Sequence, residues 1–91
     1  MEKIHKEVIV RGLVQGVSFR AYARREAAKL GITGTVKNQA DGSVAIVAEG
    51  SPANMESFIA WSRKGPLMAS VEQVEVSDGP VKGYDEFMII R

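Results

Sequence analysis

Ile32-Thr33-Gly34-Thr35-Val36-Lys37-Asn38-Gln39-Ala40-Asp41-Gly42-Ser43-Val44-Ala45-Ile46-Val47-Ala48-Glu49 is the stretch that decides the fold. Its first part, Ile32 to Asn38, is a strand candidate in which Thr33, Thr35 and Val36 supply β-branched side chains. Gln39-Ala40-Asp41-Gly42 then carries an Asp-Gly pair, a strong hairpin signal between two strand-like runs. Ser43 to Glu49 returns with Val44, Ile46 and Ala48 on one face. An antiparallel hairpin therefore occupies the middle of the chain, and its flanks fix the architecture.

Each flank predicts a helix. Upstream, Phe19 to Leu30 puts Phe19, Tyr22, Ala23, Ala27 and Leu30 on one face, with Arg24, Arg25, Glu26 and Lys29 mostly on the other. Ser18 is positioned as its N-cap and Gly31 as its C′ residue. Downstream, Ser51 is a good N-cap and Pro52 suits the first helical position. Met55, Phe58, Ile59 and Ser62 form the apolar stripe of this second helix, Trp61 lies on its flank, and Gly65-Pro66 ends it.

Further out, Ile4 to Arg11 alternates as a strand, with Ile4, Val8 and Val10 on one side and His5, Glu7 and Arg11 on the other. Ile9 breaks the polarity of the second face, as in a central strand. Val71 to Val76 predicts a fourth strand broken by Asp78-Gly79-Pro80, and Phe87 to Arg91 a short last one. The order is β-α-β-β-α-β plus a terminal strand. That pattern implies an α+β two-layer sandwich, with both helices on one face of a mainly antiparallel sheet.

Composition bounds the chemistry. Ninety-one residues suit a single domain spanning 1–91, and 45% hydrophobic with 25% charged residues is ordinary globular usage. Twelve Lys+Arg against eleven Asp+Glu leave a net charge of +1, too little to hold nucleic acid by bulk electrostatics. The strands also lack an aromatic pair of the kind that stacks RNA bases. The absence of cysteine removes disulfides, thiolate nucleophiles and Cys-ligated metals. The one histidine, His5, reads as a surface residue among charged neighbours, and the carboxylates look scattered, with no pair held for metal or acid–base work. No run reaches the ~18 apolar residues of a membrane span, and the N-terminus lacks a signal peptide's apolar core. The expected location is the cytoplasm.

The loop Gly12-Leu13-Val14-Gln15-Gly16-Val17-Ser18 is the most informative for function. It joins a strand to a helix, so the first helical N–H groups point into it and carry partial positive charge. Gly16 permits a sharp turn and close backbone approach, and Arg20 in the first helical turn adds a guanidinium matched to phosphate oxygens. The G-x-x-x-x-G-K-[ST] spacing of a nucleotide-binding loop is missing. By spacing alone, a plain βα turn with a solvated Arg20 is the favoured reading. Asn38, closing the second strand, is either a turn residue or a fixed carboxamide able to hold a water. A right-handed crossover makes the first two strands parallel, so Arg20 and Asn38 are expected at the same sheet edge.

Arg11-Gly12-Leu13-Val14-Gln15-Gly16-Val17-Ser18-Phe19-Arg20 resembles the acylphosphatase signature G-x-V-Q-G-V-x-F-R. Gly34 to Val44 resembles the second signature of that family, G-x-V-x-N-x-x-D-G-x-V, and Gly50 and Gly65-Pro66 extend the match over nearly the whole chain. The resemblance implies a ferredoxin-like fold and hydrolysis of carboxyl-phosphate bonds without metal or cofactor. It assigns phosphate binding to Arg20 and to the backbone of Gln15, Gly16, Val17, Ser18 and Phe19, and water orientation to Asn38. It further implies a small acyl phosphate as substrate, with inorganic phosphate or similar anions as competitors; charge and hydropathy argue against nucleic-acid and membrane partners, and a monomer is expected. At Ser18 a side chain replaces glycine, which bears on loop mobility and removes neither functional group.

Overall fold

The computed structural model describes residues 2–91. Seven elements follow the expected order: β1 (Ile4–Leu13), α1 (Phe19–Leu30), β2 (Thr33–Asn38), β3 (Val44–Gly50), α2 (Pro52–Lys64), β4 (Ser70–Gly79) and β5 (Phe87–Ile90). They form one sheet ordered β4-β1-β3-β2-β5. β1 and β2 each pair antiparallel with β3 and therefore run parallel to one another, whereas β5 joins β2 in parallel. The C-terminal ends of β1, β2 and β5 thus share one edge of the sheet. The hairpin turn forms as expected, with Gln39 N–H donating to Ser43 O at 2.8 Å.

Both helices cover the same face. Val8, Val10, Val36, Val44, Ile46 and Ala48 point up from the strands and meet Phe19, Ala23, Ala27, Met55 and Phe58. Phe58 is the aromatic centre: its ring lies 6.2 Å from Trp61 and 5.8 Å from Phe87. Small Ala23 and Ala27 let α1 settle close to the sheet. Ser51 caps α2 as its sequence implies, accepting from Asn54 N–H at 3.2 Å. Among the described residues no helix is long and apolar enough to cross a membrane.

Several local expectations fail, each for a non-local or geometric reason. Tyr22 is 44% exposed. At about 100° per residue it lies roughly 95° from the centre of the Phe19-Ala23-Ala27-Leu30 face, and Arg25 sits over its ring instead. Ser18 occupies the N-cap position of α1 but its hydroxyl makes no cap, because the residue is left-handed, with φ 62° and ψ 27°. β4 continues past Val76 to Gly79, paired with His5 and Lys6 of β1 and joined by a Lys6–Asp78 ion pair.

The largest departure concerns His5 and Glu49. They are cross-strand neighbours of β1 and β3, and neither is a surface residue: His5 is 2% and Glu49 0% exposed. His5 Nδ1 lies 2.7 Å from Glu49 Oε2, and Nε2 lies 3.0 Å from Glu7 Oε2. Glu49 also accepts from the backbone N–H groups of Lys82, Gly83 and Tyr84 at 2.6, 3.0 and 3.3 Å. Burial pushes the Glu49 carboxyl up, but its hydrogen bonds outweigh this and hold it at about 2. Burial likewise lowers the His5 pKa, yet Glu49 and Glu7 leave it raised above 6.5. This cluster fastens the β4–β5 connection to the sheet at the end away from the phosphate loop.

Candidate functional site

The loop between β1 and α1 is held from three sides. At its start, Gly12 sits in a bulge opposite β4 where a side chain has no room: a Cβ there would lie 2.2 Å from Ser70 O. In its middle, Gln15 Nε2 donates to the carbonyls of Gln39 and Ser43 at 2.8 and 2.9 Å, which ties the loop to the β2–β3 hairpin. At its end, Phe19 is buried with its ring 5.3 Å from that of Trp61.

The hairpin is itself pinned. Asp41 accepts from Ser43 N–H at 3.0 Å and from Ser43 Oγ at 2.6 Å, and Arg11 Nη1 donates to it at 3.1 Å. Those bonds, the Ser43 hydroxyl first, hold the Asp41 carboxyl down at about 2. Arg11 Nε meanwhile donates to Glu75 of β4 at 2.7 Å. Arg11, Gln15 and Asp41 thus act as struts between loop, hairpin and edge strand.

Between these struts lies an open cleft of about 410 Å³. Gly16, Ser18, Phe19 and Arg20 line it from the loop–helix junction, Asn38 from the end of β2, Ile89 from β5 and Arg91 from just beyond that strand. The expected convergence of Arg20 and Asn38 is therefore present. Among the described residues, no other side chain forms an ion pair or hydrogen bond with either of them. No N–H of residues 15–20 donates to another described protein group outside a helix or strand ladder. Gly16 takes φ 75° with open space where a Cβ would be, so the turn demands glycine for its backbone and not for clearance.

Two residues expected at the site do not line the cleft. The Gln15 side chain is committed to the hairpin, and Val17 packs against the core, which leaves only their backbones for a ligand. Sequence reasoning missed Ile89 and Arg91, because the parallel β2–β5 pairing that brings them in has no local signal. Among the described residues there is no group of three or more His, Cys, Asp or Glu side chains arranged for a metal.

A positively charged first helical turn is unfavourable in itself, since α1 has no acidic residue there and Arg20 faces the positive end of the helix dipole. An anion against the loop removes that conflict, as helix N-termini commonly bind one. The acylphosphatase family model matches residues 6–89. The chain belongs to the acylphosphatase family. It is 51% identical over 81 residues to an acylphosphatase of Nocardioides sp., covering 89% of this chain and 82% of that one. It is 44% identical over 92 residues to that of Methylococcus capsulatus, covering 100% and 98%. The crystal structure of acylphosphatase from Bacillus subtilis superposes with a TM-score of 0.94 at 35% identity, covering 97% of this chain and 99% of the other. The ferredoxin-like arrangement of this acylphosphatase-family chain thus agrees with that of a solved family member along nearly its whole length.

Proposed function

We propose that this chain hydrolyses the carboxyl-phosphate bond of small acyl phosphates, with Arg20 and the loop backbone holding the phosphoryl group and Asn38 holding the attacking water. The observation that carries the reading is the meeting, in one cleft, of Arg20 at the loop–helix junction with Asn38 from a different element.

The chemistry asks for little more. The water oxygen attacks phosphorus as the bond from phosphorus to the acyl oxygen breaks, and the electron pair leaves with a carboxylate. A carboxylate is a good leaving group and needs no general acid. Catalysis then rests on positioning and on stabilising charge at the non-bridging oxygens. The guanidinium of Arg20 offers a bidentate fork to those oxygens, and the N–H groups from Gln15 to Arg20 converge on the same charge. The Asn38 carboxamide both donates and accepts, so it can fix the orientation of a water. An amide is not a base near neutral pH; the water's proton passes to the phosphate or to solvent. No metal enters this scheme, and inorganic phosphate competes for the same donors. A monomeric, cytoplasmic chain acting as one unit over residues 1–91 completes the proposal.

The test is hydrolysis of acetyl phosphate in excess chelator. A folded wild type is expected to turn over under those conditions. A folded protein that is inert, or active only after metal is restored, would overturn the reading.

A further inference from the structure

Arg91 enters the phosphate cleft by strand register. In the parallel pair, Val36 lies opposite Ile89 and Lys37 opposite Ile90, so the next step sets Arg91 beside Asn38. Strand residues alternate between faces. Val36 and Phe87 are buried under the helices, whereas Met88 is 47% exposed on the other face. Asn38 follows Val36 by two residues, and Arg91 follows Phe87 by four, so both return to the helix side, at the edge where α1 begins. The same two residues line the cleft, which confirms the parity argument with an independent observation.

The surroundings of Arg91 suit a second anion. Two guanidinium groups, Arg20 and Arg91, line the cleft, and no side-chain carboxylate does. Arg91 forms no ion pair with a described residue. It also lies where the cleft meets an adjoining groove along β5, which is lined by Arg24 and Glu86. Arg24 stands one helical turn beyond Arg20 but shares its groove with Glu86, so the excess of cationic side chains is in the phosphate cleft itself. A cleft of about 410 Å³ falls in the range that takes ligands far larger than acetyl phosphate.

We propose that Arg91 is a specificity-determining residue, whose guanidinium receives a carboxylate carried on the acyl part of the substrate. The favoured substrates are then acyl phosphates of dicarboxylic acids. This rests on the hydrolase reading above, with Arg20 and the loop taking the phosphoryl end and Arg91 the acyl end. A fork of donors on a planar cation matches a carboxylate in two parallel hydrogen bonds, which lysine cannot reproduce.

The experiment compares kcat/KM for succinyl phosphate and acetyl phosphate in the wild type, Arg91→Ala and Arg91→Lys. The wild type is expected to prefer succinyl phosphate, and Arg91→Ala to lower the succinyl-to-acetyl ratio about five- to tenfold, with Arg91→Lys between. In the wild type alone, rising ionic strength should compress the ratio, which tests the claim without a variant. A ratio that stays within twofold of wild type in Arg91→Ala would overturn the assignment. So would a parallel loss on both substrates with weaker phosphate inhibition, since Arg91 would then serve the phosphoryl group. A folded wild type inert towards both substrates would instead remove the hydrolase reading, and this proposal with it.

Discussion

Replacing Glu49 by alanine should cost this domain a large share of its stability while sparing its chemistry. Glu49 is fully buried, paired with His5 and holding three backbone N–H groups of the β4–β5 connection. Breaking a buried pair by removing one partner typically costs about 3–5 kcal/mol, because the other is left buried and uncompensated. The Glu49 carboxyl is held down at about 2 by the same His5 and backbone hydrogen bonds, so its charged form is the one the fold favours. A domain of this length has a total stability of roughly 5–14 kcal/mol, so about a fifth or more is at stake. Each kcal/mol lowers the melting temperature of a domain this size by about 4–8 °C, and the drop should reach at least 12 °C.

The pH dependence follows from the directions of the two shifts. A carboxyl depressed on folding stabilises above its unfolded value of 4.5, and that contribution drains away as pH falls towards about 2. A histidine raised on folding stabilises below 6.5, and its contribution is lost as pH rises through the raised value. Wild-type stability from this cluster should therefore be greatest between about pH 4.5 and 6.5. Urea unfolding followed by circular dichroism across pH 3 to 9 measures it, with Glu49→Gln as the milder variant that keeps one acceptor oxygen. The Gln variant should show a flatter acid limb. His5 and the phosphate loop lie at opposite ends of β1, roughly 25 Å of strand apart, so kcat for acetyl phosphate should change little in folded Glu49→Gln. A stability loss below about 1 kcal/mol in Glu49→Ala would refute the argument, as would an unchanged pH profile.

Three further outcomes follow from the loop. Ser18→Gly should stabilise by about 0.5–1 kcal/mol in the same unfolding assay, because a left-handed non-glycine residue costs about 1–2 kcal/mol and glycine's unfolded-state entropy returns only part of it. Gln15→Ala, by leaving the Gln39 and Ser43 carbonyls without their donor, should cost about 1–2 kcal/mol and raise KM for acetyl phosphate more than it lowers kcat. With no histidine, cysteine or side-chain carboxylate lining the cleft, kcat/KM in stopped-flow or coupled assays should follow only the ionisation of the substrate's own phosphoryl group. A bell-shaped profile centred on a protein pKa would contradict the site as built.

The parts of this fold legible in the sequence are those governed by local chemistry. Asp41-Gly42 specifies a turn wherever it falls between two alternating runs, and Ser51-Pro52 specifies a helix start; both form as read. Arg20 and Asn38 meet because handedness and strand count already force their strand ends to one edge. What escaped the sequence depends on pairings between distant segments. His5 looked solvated among charged neighbours because its partner is 44 positions away. Arg91 looked like the end of a strand because only the parallel β2–β5 register sets it beside Asn38. Ser18 looked like a conventional cap because residue type favours one, whereas the tight loop imposes left-handed geometry that turns its hydroxyl away from that role.

The division of labour between Arg20 and Asn38 is the central claim, and one set of steady-state measurements tests it: kcat for acetyl phosphate together with the inhibition constant of inorganic phosphate, in wild type, Arg20→Ala and Asn38→Ala. Arg20→Ala should weaken phosphate inhibition by at least tenfold, as loss of a charge-assisted fork implies. Asn38→Ala should lower kcat by about a hundredfold or more while phosphate inhibition stays within about threefold of wild type, the signature of a group that acts on the water and not on the anion. Full turnover in a folded Asn38→Ala protein, or undiminished phosphate inhibition in Arg20→Ala, would contradict it.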